Sequence, residues 1–493
     1  MLHPKKQVSF PEANIVVSVD VGDNLADVIR KAGLFINADC GGIGQCGKCL
    51  VEVNGVHTRA CTCHVVEDIE VLICSDSGEG YEIVLESTLA TDTSVANALA
   101  PKCSSHKLGI AIDIGTTTIA GKLLDLTTGM SVASFTELNS QTPYGSDVIS
   151  RINCCLDDAS ELSDLITSQI DRAIAKMLSR ANRSVDSVAR IVIAGNTAMT
   201  YILLGLPCRS LGFAPFQPEH TYKKHYPYAE IFHHTTLSCE CLIFPYISAY
   251  IGGDLSAGLC ALGDKNDFIL MDMGTNGEMI YENDDKIICT ATAAGPAFEG
   301  GSIECGSGST IGAISQVHIQ NGSFTFSTIG AAPPVSLCGS GLLDLIAELA
   351  HKGIIDKRGR LDPTIESKRI DLVDKVFLSQ KDIRQFQMAK SAVGTGVDVL
   401  IAEMGNCLPS QIFLAGGFGQ NLNVHSAARV GLLPTDLVQR TYAIGNSSLS
   451  GAVKVCLDPP LMDQVMQKAV RATEINLATH TLFGTLFMEN MSF

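Results

Sequence analysis

The sequence predicts a multidomain chain, with a small α+β unit followed by a duplicated α/β unit. Three observations predict it. At 493 residues the chain is too long for one hydrophobic core. Three cysteines, Cys40, Cys46 and Cys49, crowd one glycine-rich stretch near the N-terminus, and a fourth, Cys61, follows after eleven residues. Further on, the pattern of three apolar residues, Asp, apolar, Gly, Thr occurs twice, around Asp113 and Asp272.

Composition narrows the classes. Hydrophobic residues are 46% and charged residues 18%, a globular rather than a disordered balance. A net charge of −17 argues against nucleic acid as a partner, because phosphate binding needs clustered Lys and Arg. The longest apolar stretch, Leu242 to Ile251, is short and holds Pro245 and Tyr246, so no membrane span is expected. The opening MLHPKKQVSFPE has no apolar core, and no signal peptide is expected. With 18 cysteines and no export signal, reduced thiols in a cytoplasm are the expectation.

Residues 1–87 form the first unit. Val8–Phe10 and Ile15–Val19 read as a strand pair, and Asn24–Gly33 as a helix with a glycine stop. The cysteine loop comes next, then strands from Leu50 to Val53 and up to Ala60 around an Asn54-Gly55 turn. Val65-Val66, Ile69–Ile73 and Ile83–Leu85 are the later expected strands. Residues 88–106 lack periodicity and read as a linker. Residues 107–265 and 266–493 are the two halves of the second unit.

The duplication has two matched motifs in the same order. Asp113 is followed by Ile191–Asn196, and Asp272 by Ile412–Gly417. From 113 to 195 is 82 residues and from 272 to 416 is 144, so the second half carries about 62 more. Helical faces at 160–178 and 382–404 lie between the motifs, which makes the architecture α/β.

Each motif has its chemistry. Three thiolates on one glycine loop (Cys40-x5-Cys46-x2-Cys49) with a fourth further on suit a [2Fe–2S] cluster. Glycine lets backbone amides point at cluster sulfurs. Zinc or a redox dithiol is the alternative, and Cys63 competes with Cys61 as the fourth ligand. Gly42–Lys48 imitates a phosphate loop but follows no apolar strand. Cys239-x-Cys241 near His233 and His234 is read as buried thiols over a second metal site. The Asp-x-Gly-Thr turns suit Mg²⁺ and phosphate: the carboxylate holds a hard cation through water, and glycine admits phosphate oxygens to backbone amides. Asp147 is a candidate water-orienting base, with a helix N-cap paired to Arg151 as the equal alternative.

Strands, one helix and a cysteine loop give the element order of a β-grasp ferredoxin. The duplicated turns resemble the ribonuclease-H-like ATPases of the actin, sugar-kinase and Hsp70 superfamily. The resemblance places Asp113, Gly115, Thr116 and Thr117 in a first phosphate loop. It places Asp272, Gly274, Thr275, Asn276 and Gly277 in a second, and Gly416, Gly417 and Gly419 in an adenosine motif. The fusion of the two units resembles the ATP-dependent reductive activators of corrinoid proteins. Gly195–Met199, Ala294–Gly301 and Asp382–Lys390 carry that resemblance. It implies a [2Fe–2S] cluster, ATP and Mg²⁺, with a corrinoid protein of an anaerobic methyltransferase or demethylase system as partner. It also implies a low-potential electron donor, reduction of cob(II)alamin to cob(I)alamin, and leaves a homodimer open. Some members carry a further middle domain, for which the 19 residues from 88 to 106 leave no room. The runner-up is an activator of a 2-hydroxyacyl-CoA dehydratase or aryl-CoA reductase. A nucleotide-binding electron carrier without hydrolysis is the third reading.

Overall fold

The computed structural model describes residues 5–13, 15–32, 34, 49–73, 108–145, 147–233, 235–274, 276–320 and 322–493. Cys40, Cys46, Thr275, the expected strand at 83–85 and the expected linker at 88–106 lie outside the described residues.

The first unit is a five-stranded mixed sheet. Its strands are β1 (Lys5–Phe10), β2 (Ile15–Asp20), β3 (Leu50–Val53), β4 (Val56–Arg59) and β5 (Ile69–Leu72), in the order β2-β1-β5-β3-β4. β1 pairs antiparallel with β2 and parallel with β5, which is the β-grasp arrangement. Asn54 and Gly55 turn the β3–β4 hairpin with φ of 50° and 82°, the positive pair that a two-residue turn of this hand requires. The helix Leu25–Lys31 buries Leu25, Val28 and Ile29 against Val8, Phe10 and Val51. Val65-Val66 is not a strand. Val65 donates to Asp23 O and accepts from Gly22 N, which ties it to the turn ahead of the helix, and Val66 is exposed.

The second unit holds two six-stranded sheets that share the order of five strands and differ in where the sixth is added. In the first, β6 (Leu108–Ile114), β7 (Thr118–Asp125) and β8 (Ser131–Leu138) form an antiparallel meander. β9 (Val188–Gly195) lies parallel beside β6, and β10 (His225–Pro227) and β11 (Glu240–Ile243) complete the order β10-β11-β9-β6-β7-β8. β6 is buried on both faces, hence its unbroken apolar run Leu-Gly-Ile-Ala-Ile. The helix Ser160–Arg180 lays Leu162, Ile166, Ile170 and Ile174 on the sheet.

The second half repeats the meander with β12 (Phe268–Met273), β13 (Gly277–Glu282) and β14 (Ile287–Thr292). The extra length then appears as a small sheet, a helix and a hairpin. These are β15 (Ala313–Gln320), β16 (Ser323–Thr328) and β17 (Ser336–Leu337), the helix Gly339–His351, and β18 (Arg369–Val373) with β19 (Val376–Ser379). The long helix Gln380–Glu403 returns the chain, opened by a capping box between Ser379 and Asp382. β20 (Gln411–Ala415), β21 (Thr441–Gly445) and β22 (Thr473–Glu474) close the order β21-β20-β12-β13-β14-β22. β20 runs parallel to β12 just as β9 runs parallel to β6.

Two helices join the halves. Gly253–Leu262 ends the first half, and Ser447–Leu457 returns from the second. Leu449, Ala452 and Val453 of the latter pack with Ala111 and Val192 of the first sheet and with Ala257. The crossing is close: a side chain at Gly451 would overlap the Ala257 carbonyl.

Candidate nucleotide and iron–sulfur sites

Asp113 and Asp272 each stand one residue before a strand end, where the hairpin turn begins. Asp272 lies directly opposite Glu278 in the β12–β13 register, whereas the residue opposite Asp113 is Ala120. Asp113 is fixed from the far half of the chain. Asn446 donates its Nδ2–H to Oδ2 at 2.8 Å, and Ser448 donates its Oγ–H to Oδ1 at 2.7 Å.

Asp254, on the first turn of the Gly253–Leu262 helix, completes a cluster with Asp113, Asp272 and Glu278. Burial pushes Asp254 and Asp272 up to about 7, and the neighbouring carboxylates add to the rise. Glu278 is pushed well above the ordinary range, first by burial and then by Asp254 and Asp272. Burial raises Asp113 as well, against the opposing pull of Ser448 and Asn446. No Lys or Arg is among the causes of these four shifts, so without a ligand the carboxyls hold protons, and a bound cation would let them ionise together. Among the described residues no three ligand-type side chains are close enough to hold a metal directly. The donor set therefore fits a cation held through water and phosphate oxygens, the habit of Mg²⁺.

The turns leave room for such a ligand. Gly115 donates its N–H to Thr118 O at 2.9 Å, and a Cβ there would stand 2.7 Å from that oxygen. Asn196 donates from Nδ2 to Thr116 Oγ1 at 3.1 Å, joining the end of β9 to this turn. The Thr117 carbonyl accepts from the Asn139 amide. In the second turn Gly274 N–H donates to Asn276 O at 3.0 Å, and Gly277 pairs with Met273 and Thr292. Gly416, at φ 83°, packs against Asp272, where an added Cβ would stand 2.7 Å from Oδ1. Gly417 faces open space, and Gly419 rests on Leu414. Phe418 stacks on Phe298 with ring centroids 4.6 Å apart, which brings the Ala294–Gly301 segment to the Gly416 turn.

Asp147 has a different place. It caps the helix Val148–Cys154, accepting from Ser150 N at 2.8 Å and Ser150 Oγ at 2.6 Å. Arg151 is fully buried and donates to Gly145 O at 2.9 Å; Asp147 acts on its guanidinium as a nearby charge, not through a hydrogen bond.

In the first unit, Cys49 and Cys61 bring their sulfurs to 3.1 Å. That is longer than a disulfide of about 2.05 Å and short enough for both to reach one tetrahedral metal, whose bonds to sulfur are about 2.3 Å. Both are buried, at 1% and 8% exposure, which keeps water from the sulfurs. Cys63 is half-buried. Cys239 and Cys241 are buried thiols whose pKa values burial raises, and among the described residues they form no metal group.

Asp254, Glu278, Asn446 and Ser448 escaped the sequence reading. Two signals for them existed. Gly252-Gly253-Asp254 is a glycine pair opening a helix, and Gly445-Asn446-Ser447 repeats Gly195-Asn196-Thr197 at another strand end.

Fold and site define a class: a β-grasp iron–sulfur domain joined to an actin-like ATPase fold. Residues 11–75 match the "2Fe-2S iron-sulfur cluster binding domain", residues 108–266 the "RACo middle region", and residues 266–493 the "C-terminal domain of RACo the ASKHA domain". The chain belongs to this RACo family of reductive activators of corrinoid proteins. The segment taken above as the first ATPase half is thus the one that the family's middle region matches. Among relatives, "Corrinoid activation enzyme RamQ" of Eubacterium limosum is 28% identical over 590 residues, covering 99% of both chains. The "[Co(II) methylated amine-specific corrinoid protein] reductase" of Methanosarcina barkeri is 23% identical over 433 residues, 78% of this chain and 77% of that one. A solved "Reductive activator for corrinoid,iron-sulfur protein" superposes with a TM-score of 0.69 at 26% identity, covering 99% of this chain and 98% of that one.

Proposed function

We propose that this chain reduces the corrinoid of a partner protein by one electron, cob(II)alamin to cob(I)alamin, and couples the step to ATP. The observation that carries the reading is a pairing within one chain. Two buried thiols meet at 3.1 Å in one domain, and four mutually repelling carboxyls line two phosphate-type turns in the next.

Cys40, Cys46, Cys49 and Cys61 are the proposed cluster ligands. A bound [2Fe–2S] cluster supplies one electron at a potential near −400 mV for the plant type. The electron comes from a low-potential donor and leaves to cobalt, so the protein returns to its starting state. An uphill gap of ~100 mV costs about 2.3 kcal/mol for one electron. Asp113 and Asp272 would hold Mg²⁺–ATP, with Asn446 and Ser448 keeping Asp113 in place. Gly115, Thr116 and Thr117 receive phosphate on one side, Gly274, Thr275, Asn276 and Gly277 on the other, and Gly416, Gly417 and Gly419 the adenosine. ATP offsets the gap by changing the relation of the two halves and with it the affinity for one state of the partner. The setting is an anaerobic methyltransferase or demethylase system in a cytoplasm.

The test uses anaerobically purified protein, a cob(II)alamin protein and a low-potential reductant. Cob(I)alamin formation that depends on ATP in the wild type and is lost in Asp113→Ala is expected. Reduction at the wild-type rate in Asp113→Ala would overturn the coupling and leave a nucleotide-binding carrier. Zinc in place of iron and sulfide would overturn the redox role altogether.

A further inference from the structure

In the first unit, residues 22–25 are laced to residues 61–65 by hydrogen bonds. Gly22 N–H donates to Val65 O at 2.8 Å, Val65 N–H to Asp23 O at 2.9 Å, and Leu25 N–H to Cys63 O at 2.8 Å. One side chain joins them. Asn24 donates from Nδ2 to Cys61 O at 2.9 Å. Its Oδ1 meanwhile accepts from Ala26 N at 3.0 Å, which caps the helix Leu25–Lys31. One amide thus sets its acceptor on the helix and a donor on the cysteine.

The stretch that Asn24 holds offers two thiols. Cys61 lies inside the short turn Ala60–Thr62, and Cys63 follows it in extended backbone, at φ −95° and ψ 130°. The turn is anchored on its other side as well. Ala60 N donates to Cys49 O at 2.8 Å, and Cys63 N to Ala60 O at 3.2 Å. With the Cys61 carbonyl tied to Asn24 and the Cys63 carbonyl to Leu25, the turn cannot rotate without breaking bonds at the helix start. In this setting Cys61 is buried with its sulfur 3.1 Å from that of Cys49, while Cys63 is half-buried.

We infer that Asn24 is a positioning residue for the iron–sulfur centre: by holding the Cys61 carbonyl it presents Cys61 beside Cys49 and keeps Cys63 from taking its place. The inference rests on the cluster reading proposed above. Two thiols two residues apart are chemically equal as ligands, so the local backbone decides between them. Groups that hold a metal ligand from behind fix its direction, and their loss weakens the metal without removing a ligand atom.

The experiment compares the full-length wild type with Asn24→Ser and Asn24→Asp, all purified anaerobically. Iron and sulfide content, the EPR spectrum of the reduced protein, bleaching by an iron chelator and thermal unfolding are the readouts. Serine and aspartate still cap the helix, but neither carries the amide donor to Cys61. Both variants are expected to unfold near the wild-type temperature, to bleach about tenfold faster, and to show two EPR species in place of one. Adding Cys63→Ala to Asn24→Ser should return the spectrum to one species, because the competing thiol is gone. Asn24→Asp, the closer in shape, carries the test if Asn24→Ser does not fold. One EPR species with wild-type bleaching overturns the inference, since Asn24 is then a helix cap and nothing more. Two species that persist after Cys63→Ala overturn it too, because Cys63 is then not the competitor. A wild type that holds an iron–sulfur cluster while the variants match it sinks the inference alone, whereas a wild type with zinc in place of iron and sulfide sinks the cluster reading with it.

Discussion

Substituting Asp272→Asn should stabilise the nucleotide-free protein at pH 8 and abolish its response to Mg²⁺–ATP. The carboxyl sits at about 7 in the folded chain against an ordinary 3.8. A shift of about three units at 1.36 kcal/mol each is about 4 kcal/mol. A carboxyl whose pKa rises on folding holds its proton more tightly in the folded state. Stability is therefore lost as the pH climbs from about 4 through about 7. Asparagine carries no charge and escapes that loss. Asp254 and Asp272 repel one another, so the gain from either substitution includes relief of the other, and about 4 kcal/mol is a ceiling for the single change. With an unfolding entropy of about 2.1 cal/mol/K per residue spread over residues 108–493, this is a rise of roughly 5 °C in Tm. Differential scanning at pH 5 and pH 8, with and without Mg²⁺–ATP, reads it. The variant should exceed the wild type most at pH 8, exceed it by less at pH 5, and gain little from Mg²⁺–ATP. A wild type that is as stable as the variant at pH 8, or a gain of equal size at both pH values, would refute the reasoning from buried charge.

In the first unit, Cys49→Ser and Cys61→Ser should each remove the visible absorption of a [2Fe–2S] cluster, whereas Cys63→Ser should keep it; iron and sulfide analysis of the three proteins checks this. Asp147→Ser preserves an N-cap and should retain both stability and ATP turnover, while Asp147→Ala should cost about 1 kcal/mol in thermal unfolding. Loss of turnover in Asp147→Ser would make this carboxylate catalytic after all. Asp382 is fully buried and accepts from Glu304 N at 2.8 Å and from Ser379 N at 2.9 Å. Asp382→Ala should cost about 2–4 kcal/mol in denaturant unfolding, the sum of a lost cap and a stranded buried donor.

The parts legible in the sequence are those whose chemistry is local. Asp113 with Gly115 and Asp272 with Gly274 fall within one strand end and its turn, so composition and spacing reveal both. The duplication was legible because each half repeats its strand-end motifs in order, and β9 beside β6 and β20 beside β12 give that order a physical meaning. Glu278 became visible only through register, which sets it opposite Asp272. Asp254 reaches the site from a helix 141 residues beyond Asp113, a contact that no local spacing encodes. Val65-Val66 misled for the opposite reason. Two β-branched residues read as a strand, but tertiary bonds to Gly22 and Asp23 use the backbone of Val65 otherwise.

The placement of Asp113 also shows how a nucleotide could act at a distance from itself. The carboxylate belongs to β6 of the first half, yet both of its oxygens are held by Asn446 and Ser448, which open the helix Ser447–Leu457 of the second half. That helix crosses Gly253–Leu262 at Gly451 and Ala257, too tightly for a side chain at position 451. Asp254 sits at the start of the crossed helix and Ser448 at the start of the crossing one, so both helices begin at the carboxyl cluster. A ligand that neutralises the cluster changes the load on both helix ends at once. Packed interfaces of this kind slide between discrete arrangements rather than deforming smoothly. The small residues at the crossing permit sliding, and the hydrogen bonds to Asp113 tie it to the charge state of the site. For the ATP coupling proposed above, these two helices and the carboxyls at their ends are the direct connection between the proposed phosphate site and the packing of the halves.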